Sequence, residues 1–364
     1  MSKLPFILIL LTCGLNAAVL TLDNSGTTGA QYSTFQEAID AANDGDIIYV
    51  YPSTIKYGSN INFNKRLHIL GAGHRTEVAG NGAPQFNGFQ IRPNASGSTF
   101  ESIEITSGIS ILCNAEVSSP VLSFLNCKLK TVGTNSNTIG TNSPHNVIFE
   151  GCLFQFPNGN FITAPGDVSG WEIKNNIFAT SEIQGALNIF RNFGSGVSVS
   201  NNLFLLEKSP TDGFFQNVNG ASFTNNIFIF HAHFVVSTTL KLFEDCTNCI
   251  FENNSISTLD DLPIELDPSN PQSNNIVQAN IIFESSPNGL VFDYGHNFQL
   301  AENSDGKNGG KDGTDIGVFG QDFNFRINGY SNFFPRVSSL ESDFQGVPIN
   351  LPVNITIGGR SAGF

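Results

Sequence analysis

The amino-acid sequence predicts an all-β protein, a right-handed parallel β-helix of about 8–10 coils of 24–28 residues with an N-terminal capping helix. Three observations carry this. First, "WEIKNNIFA" (171–179), "VSVSNNLFL" (197–205) and "ASFTNNIFI" (221–229) each set two asparagines before an aliphatic–Phe pair. Second, the flanks alternate apolar and polar, as in "FTNNIFIF", instead of showing the three-and-four spacing of a helical repeat. Third, the composition suits strands and tight turns: 40% apolar and 13% charged, with 33 Phe against one Trp and one Met. One packing slot filled repeatedly explains the Phe bias.

The register follows from taking the second Asn of each pair as a reference slot. It holds Asn176, Asn202, Asn226, Asn254 and Asn280, and further back Cys152, Cys127 and Ile103. Successive spacings are 24, 25, 24, 26, 24, 28 and 26 residues. The position three residues earlier is always apolar (Phe100, Phe124, Phe149, Ile173, Val199, Phe223, Phe251, Val277). So is the position two residues later, from Ile105 and Leu129 to Ile282. The double Asn is expected at the corner between two short strands, because Asn tolerates a left-handed backbone. Stacked one coil apart, at about 4.8 Å, the slot amides should bond to one another in a buried ladder. Cys127 and Cys152 in that ladder are either two buried thiols or a disulfide between adjacent coils.

The capping helix is expected within "YSTFQEAIDAANDGDIIYVYP". Ser33 and Gln36 form a capping box, Phe35, Ala38, Ile39 and Ala42 share one face, and Gly45 ends the helix. At the other end the repeat fades after Asn280, and "VPINLPVNITIGG" reads as a closing strand pair. The domain organisation is therefore a signal peptide at 1–18, a β-helix domain with its cap at 19–335, and a closing segment at 336–364.

The leader reading rests on Lys3, the apolar run Leu4 to Leu11, and small residues ending at Ala17-Ala18. That run is too short to span a bilayer, so the protein is expected to be secreted or held at the cell surface. A formal charge of −14 with 17 basic residues provides no basic stripe for nucleic acid. It also disfavours tight capture of an anionic polysaccharide unless a local basic pocket overrides it. "CTNC" (246–249) is a lone CxxC with no second pair, which argues against zinc.

The chain resembles the secreted bacterial right-handed parallel β-helix proteins of the pectin-lyase-like fold. The resemblance lies in "FQEAIDAANDGDIIYVYPSTIKYGSNINFNKRLHILGAG", the NN-aliphatic-Phe repeats and "DGTDIGVFG" (312–320), and covers roughly residues 20 to 335. It implies the fold and leaves the activity open, because members include polysaccharide lyases, glycoside hydrolases and proteins of no assigned chemistry. The paired acids of the related hydrolases, an Asn-Thr-Asp triplet, an Asp-Asp pair and a Gly-His-Gly, are missing from the repeat region.

Several residue groups are candidates for chemistry. Asp260, Asp261, Glu265 and Asp267 in "STLDDLPIELD" form either a solvated loop, a Ca²⁺ site or a carboxylate pair. Asp305, Asn308, Asp312 and Asp315 form either a calcium turn or an acidic loop leading into the terminal segment. His231 and His233, with Glu207 one coil earlier, have the spacing of a partial metal site or of surface histidines. Lys128 and Lys130 face outward together and are the best basic candidates, with Arg191 in a nearby loop. Lys174 is expected to pair with Glu150 across coils.

Finally, the strand after the corner is apolar on both faces: Leu203 and Leu205 on one, Phe204 and Leu206 on the other. Such a strand is covered on both faces. The cover is expected to be "YSNFFPRVSSLES" (330–342), with another subunit or a ligand as alternatives. Three functions stay open: a non-catalytic glycan-binding or adhesive protein, a polysaccharide lyase or other carbohydrate-active enzyme, and an oligomeric element assembled through the apolar face. An extracellular polysaccharide is the expected partner.

Overall fold

A computed structural model describes residues 17–59, 61–75, 82–112, 122–134, 145–155, 161–163, 168–180, 189–206, 213–230, 240–258, 263–286, 292–331, 336–342 and 355–360. The protein is a parallel β-helix. Its leading sheet has eleven strands, from Val19–Leu22 to Gln272–Ser273, each pairing in parallel with the strand one coil away. A second sheet holds the trailing strands that follow the corner, among them Leu153–Gln155, Ile177–Ala179, Leu203–Leu206 and Ile227–Phe230. The third strands of the coils, such as Phe190–Arg191 and Phe215–Gln216, join this sheet because two long strands, Glu104–Ile111 and Lys128–Thr134, run through both positions. Right-handed winding is the hand that parallel crossovers take.

The two asparagines of each corner have separate jobs. The left-handed residue is the first of the pair, at Asn175, Asn201, Asn225 and Asn253, with φ between 53° and 57°. The second is the ladder residue, so the two members of each pair divide the corner and the ladder between them. Asn202 Oδ1 accepts from the backbone N–H and the Nδ2 of Asn176, and Asn202 Nδ2 donates to Ile173 O and Asn226 Oδ1. Asn226 and Asn254 repeat the pattern. The next rung is Asn275, whose Oδ1 accepts from Asn254 N and Nδ2. Asn280, expected in the slot, lies past it, with its N–H bonded to Asp305. The last coil is shorter than its predecessors because Ile276–Val277 pairs directly with Ser255–Ile256.

Cysteine fills the slot through an equivalent bond. Cys127 Sγ donates to Phe100 O and Cys152 Sγ to Phe124 O, as Asn176 Nδ2 does to Phe149 O. Cys246 and Cys249 follow the left-handed Asp245 and Asn248 and donate in the same way to Phe215 O and Val218 O. "CTNC" is therefore a pair of bend residues. Cys127, Cys152, Cys246 and Cys249 are all buried free thiols, and burial pushes the Cys246 thiol up to about 12.

Inside the coil, the Phe row after the corner stacks at the coil spacing: Phe154–Phe178 at 4.5 Å, Phe178–Phe204 at 4.8 Å and Phe204–Phe228 at 4.7 Å between centroids. The helix Phe35–Ala41 is capped by Thr34, one residue later than expected, and places Phe35 against Phe63 and Phe86.

The outer apolar face of the trailing sheet is covered by the chain itself. Leu153, Ile177, Leu203, Leu205, Ile227 and Ile229 pack against Phe292, Phe298, Leu300, Ile316, Val318 and Phe325. The cover is therefore a strap formed by residues 281–286 and 292–327, upstream of the expected 330–342, and this face is not free to assemble with a second subunit. Sequence position misled here because the strap's apolar residues are scattered among glycines and acids. The strap is held by the left-handed asparagines. Asn253 Nδ2 donates to Gly309 O, Asn225 Oδ1 accepts from Lys311 N, and Asn175 Nδ2 donates to Val318 O and Gly320 O. Three of the four corner side chains thus hold the returning chain, while Asn201 makes no hydrogen bond to it. At the C-terminal end Arg336–Ser342 pairs antiparallel with Ile355–Arg360, so the expected closing pair involves an earlier partner strand.

Candidate functional site

One row on the outer face of the trailing sheet changes character along the solenoid. In register, it reads Gln85, Glu104, Lys128, Leu153, Ile177, Leu203, Ile227. The apolar members lie under the strap. The first three are polar and form a chain: Gln85 Nε2 donates to Glu104 Oε2 at 2.6 Å, and Lys128 Nζ lies 3.0 Å from Glu104 Oε1. Parallel pairing one coil apart places these three side chains side by side.

The strap delivers a fourth residue to the same place. Its hairpin, Phe283–Ser285 against Asn297–Leu300, has Tyr294 in the connecting loop. Lys128 Nζ lies 5.8 Å from the Tyr294 ring centroid, and the Arg75 guanidinium carbon lies 4.3 Å from it. The Tyr294 hydroxyl is 3.3 Å from His74 Nδ1. His74 and Arg75 end "GAGHR" (71–75), which continues the leading strand His68–Gly71.

Burial and charge set the protonation states. Burial, helped by Lys128 and Arg75, pushes the His74 imidazole down to about 3, so the ring is neutral at physiological pH. Burial raises the Tyr294 phenol, against an opposing pull from Lys128. Burial alone would lower the Lys128 ammonium, but Glu104 and Tyr294 more than offset it and hold it protonated. The site is a fixed ammonium–carboxylate–amide row with a protonated phenol at its edge.

The other candidates fare differently. Lys174 pairs with Glu150 at 3.3 Å and with Glu172 at 3.1 Å, a surface ion-pair cluster. Arg191 is exposed and lies on a third strand, away from the Lys128 row. Glu265 and Asp267 border an open depression of about 280 Å³ with Phe243, Glu244 and Asp245. Asp267 is occupied by Ser269 N and Asn270 Nδ2, and its carboxyl is held below the usual range by the Ser269 backbone bond. Asp260, Asp261, Glu207, His231 and His233 lie outside the described residues. Among the described residues no group of three or more His, Cys, Asp or Glu could hold a metal ion. Asp315 pairs with Lys307, Asp312 accepts from Thr314, and Asp305 accepts from Asn280 N, so these loop acids brace the strap and do not converge.

Sequence reasoning found Lys128 and missed Gln85, Glu104, His74, Arg75 and Tyr294. Glu104 was legible in principle, since it stands at the Lys128 position one coil earlier. Tyr294 carried no local signal, because its hydroxyl meets a residue 220 positions away.

The coil topology makes this a parallel β-helix protein. No protein-family model matches the chain, and no curated protein matches it by sequence. Solved structures similar to it include a DFA-IIIase from Arthrobacter chlorophenolicus without its lid, at 13% identity over 73% of this chain and 92% of that one, TM-score 0.37. A pectin methylesterase from Aspergillus niger in deglycosylated form matches at 16% identity over 72% and 86%, TM-score 0.32. A lacto-N-biosidase from Eubacterium ramulus matches at 8% identity over 71% and 67%, TM-score 0.35. Likeness at this level says nothing about chemistry. No helix among the described residues is long and apolar enough to cross a membrane.

Proposed function

We propose that the protein is an exported, non-catalytic glycan-binding β-helix, and that the Gln85–Glu104–Lys128 row beside Tyr294 is its binding face. The observation that carries this is the row itself. Donor, acceptor and cation stand in register at the coil spacing of about 4.8 Å, next to an aromatic edge. An extended saccharide presents hydroxyls that both donate and accept, and such a row can bond to several at once. Lys128 and Glu104 already neutralise each other, so a neutral or weakly acidic glycan displaces water without stranding a charge. The leader pattern at 1–18 supports the exported part of this reading.

A second reading, a lyase or another carbohydrate-active enzyme, draws on one observation. The Tyr294 phenol has Lys128, Arg75 and His74 around it, groups that stabilise a phenolate. Lys128, held protonated, is no base at neutral pH in either reading. The test is a panel of soluble neutral and uronate polysaccharides, with and without Ca²⁺, followed by affinity electrophoresis and by ultraviolet absorbance of unsaturated product. Retardation without product, abolished by Lys128→Met, is the expected result. Product release would replace the binding reading with the enzymatic one, and no retardation by any polysaccharide would remove both.

A further inference from the structure

We propose that His74 is a positioning residue for this site: held as its Nδ1–H tautomer, it donates to the Tyr294 hydroxyl oxygen and so directs the Tyr294 proton outward to the ligand. The ligand in this statement rests on the glycan-binding reading, whereas the tautomer does not.

Tyr294 arrives on a hairpin loop, so its orientation is set by the surface on which it lands. That surface is the loop 71–75, and its backbone is tightly confined. A Cβ added at Gly71 would stand 2.4 Å from Ser102 O, and Gly73 has φ +112° with the Tyr330 ring against it. The His74 ring is walled on its other side by Gly329, where an added Cβ would stand 2.1 Å from Cδ2 and 2.5 Å from Nε2. These walls confine the plane of the imidazole. Nδ1 faces Tyr294, and Nε2 is buried without a hydrogen-bond partner.

A neutral imidazole carries one proton. Placed on Nε2, it would be a buried N–H with no acceptor, which is the rarer and costlier arrangement. Placed on Nδ1, it bonds to the Tyr294 oxygen and leaves only a lone pair facing Gly329. The phenol proton then needs an acceptor of its own. Lys128 and Arg75 are donors only, and Glu104 is engaged by Lys128 and Gln85. The half-buried outer side of Tyr294 is open to such an acceptor, and a saccharide hydroxyl or ring oxygen would sit there.

The experiment uses the full chain labelled with ¹⁵N-histidine, with long-range ¹H–¹⁵N correlation at neutral pH and assignment by loss of the signal in His74→Asn. The expected result is an Nδ1–H tautomer for His74. Binding of xyloglucan, laminarin and polygalacturonate is measured in parallel. His74→Asn, whose amide donor replaces Nδ1–H, should bind within about threefold of the wild type, and His74→Leu roughly tenfold more weakly. A merely structural His74 would weaken folding in both variants without separating their affinities. An Nε2–H tautomer, or equal binding by the two variants, overturns the proposal. If the wild type binds none of the three polysaccharides, the glycan reading falls, and the tautomer measurement still decides the role of His74.

Discussion

Replacing Asn202 by Ala would test the ladder where its bonds are most completely defined. The Asn202 side chain accepts from Asn176 N at 2.9 Å and Asn176 Nδ2 at 3.0 Å, and donates to Ile173 O at 2.8 Å and Asn226 Oδ1 at 3.0 Å. Two of these partners have a second bond to fall back on: Asn176 Nδ2 keeps Phe149 O, and Asn226 Oδ1 keeps Asn202 N. The Asn176 N–H and the Ile173 carbonyl lose their bond to this side chain and stay buried. At about 1–3 kcal/mol for the bared N–H and about 0.5–1.5 kcal/mol for the lost bond to a carbonyl that the sheet pairing also holds, the loss is about 1.5–4.5 kcal/mol. Asn202→Cys should lose less, because a thiol there can donate to Ile173 O as Cys152 does to Phe124 O. The assay is urea denaturation joined to hydrogen exchange at the Asn176 amide, since coils of a solenoid can open locally. An Asn202→Ala protein within about 1 kcal/mol of the wild type would refute the reasoning, as would a Cys variant less stable than the Ala variant.

Further outcomes follow from the same geometry. Asn202→Asp places a carboxylate in the ladder, where burial raises its pKa above the unfolded value of about 3.9. Relative to the wild type, its stability should be greatest below about pH 4 and fall as pH rises through the raised value, as equilibrium melts of both proteins at stepped pH would show. His74, held down to about 3 from 6.5, leaves the unfolded chain binding more protons between those values. Wild-type stability should therefore drop by at most about 5 kcal/mol from pH 6.5 to 3, and His74→Asn should flatten that slope. Gly320→Ala puts a Cβ 2.6 Å from Asn201 Oδ1 and 2.7 Å from Asp315 O. It should loosen the strap and expose it to limited proteolysis while the coils persist by circular dichroism. The four buried thiols should resist an aromatic disulfide reagent in the native protein and react together on unfolding, read by absorbance, because burial raises Cys152, Cys246 and Cys249 above the ordinary range.

The fold was legible because its rule is local and repeats. Phe and Asn recur at fixed offsets, and each coil makes the same bonds to its neighbour. The errors lie where repetition ends. Asn280 was placed in the slot because the period averages about 25 residues, whereas the last coil closes early at Asn275. Which Asn takes the left-handed backbone was not legible, because both members of the pair tolerate it and only geometry separates them. The site was half legible. Lys128 stood out as a cation on an outward face, and Glu104 lay in the same row. Tyr294 and the 71–75 loop meet through tertiary contact alone. The strap could not be placed from pattern, because its hold on Asn175, Asn225 and Asn253 runs largely through its own backbone.

The measurement that tests the functional account most directly is chemical-shift mapping on the full chain, titrated with the polysaccharide that retards it most in gels. The account predicts perturbations confined to Gln85, Glu104, Lys128, Tyr294 and the 71–75 loop, lost in Lys128→Met. Perturbations centred instead on the outer face of the leading sheet, around Ser198–Ser200 and Ser222–Thr224, would contradict it.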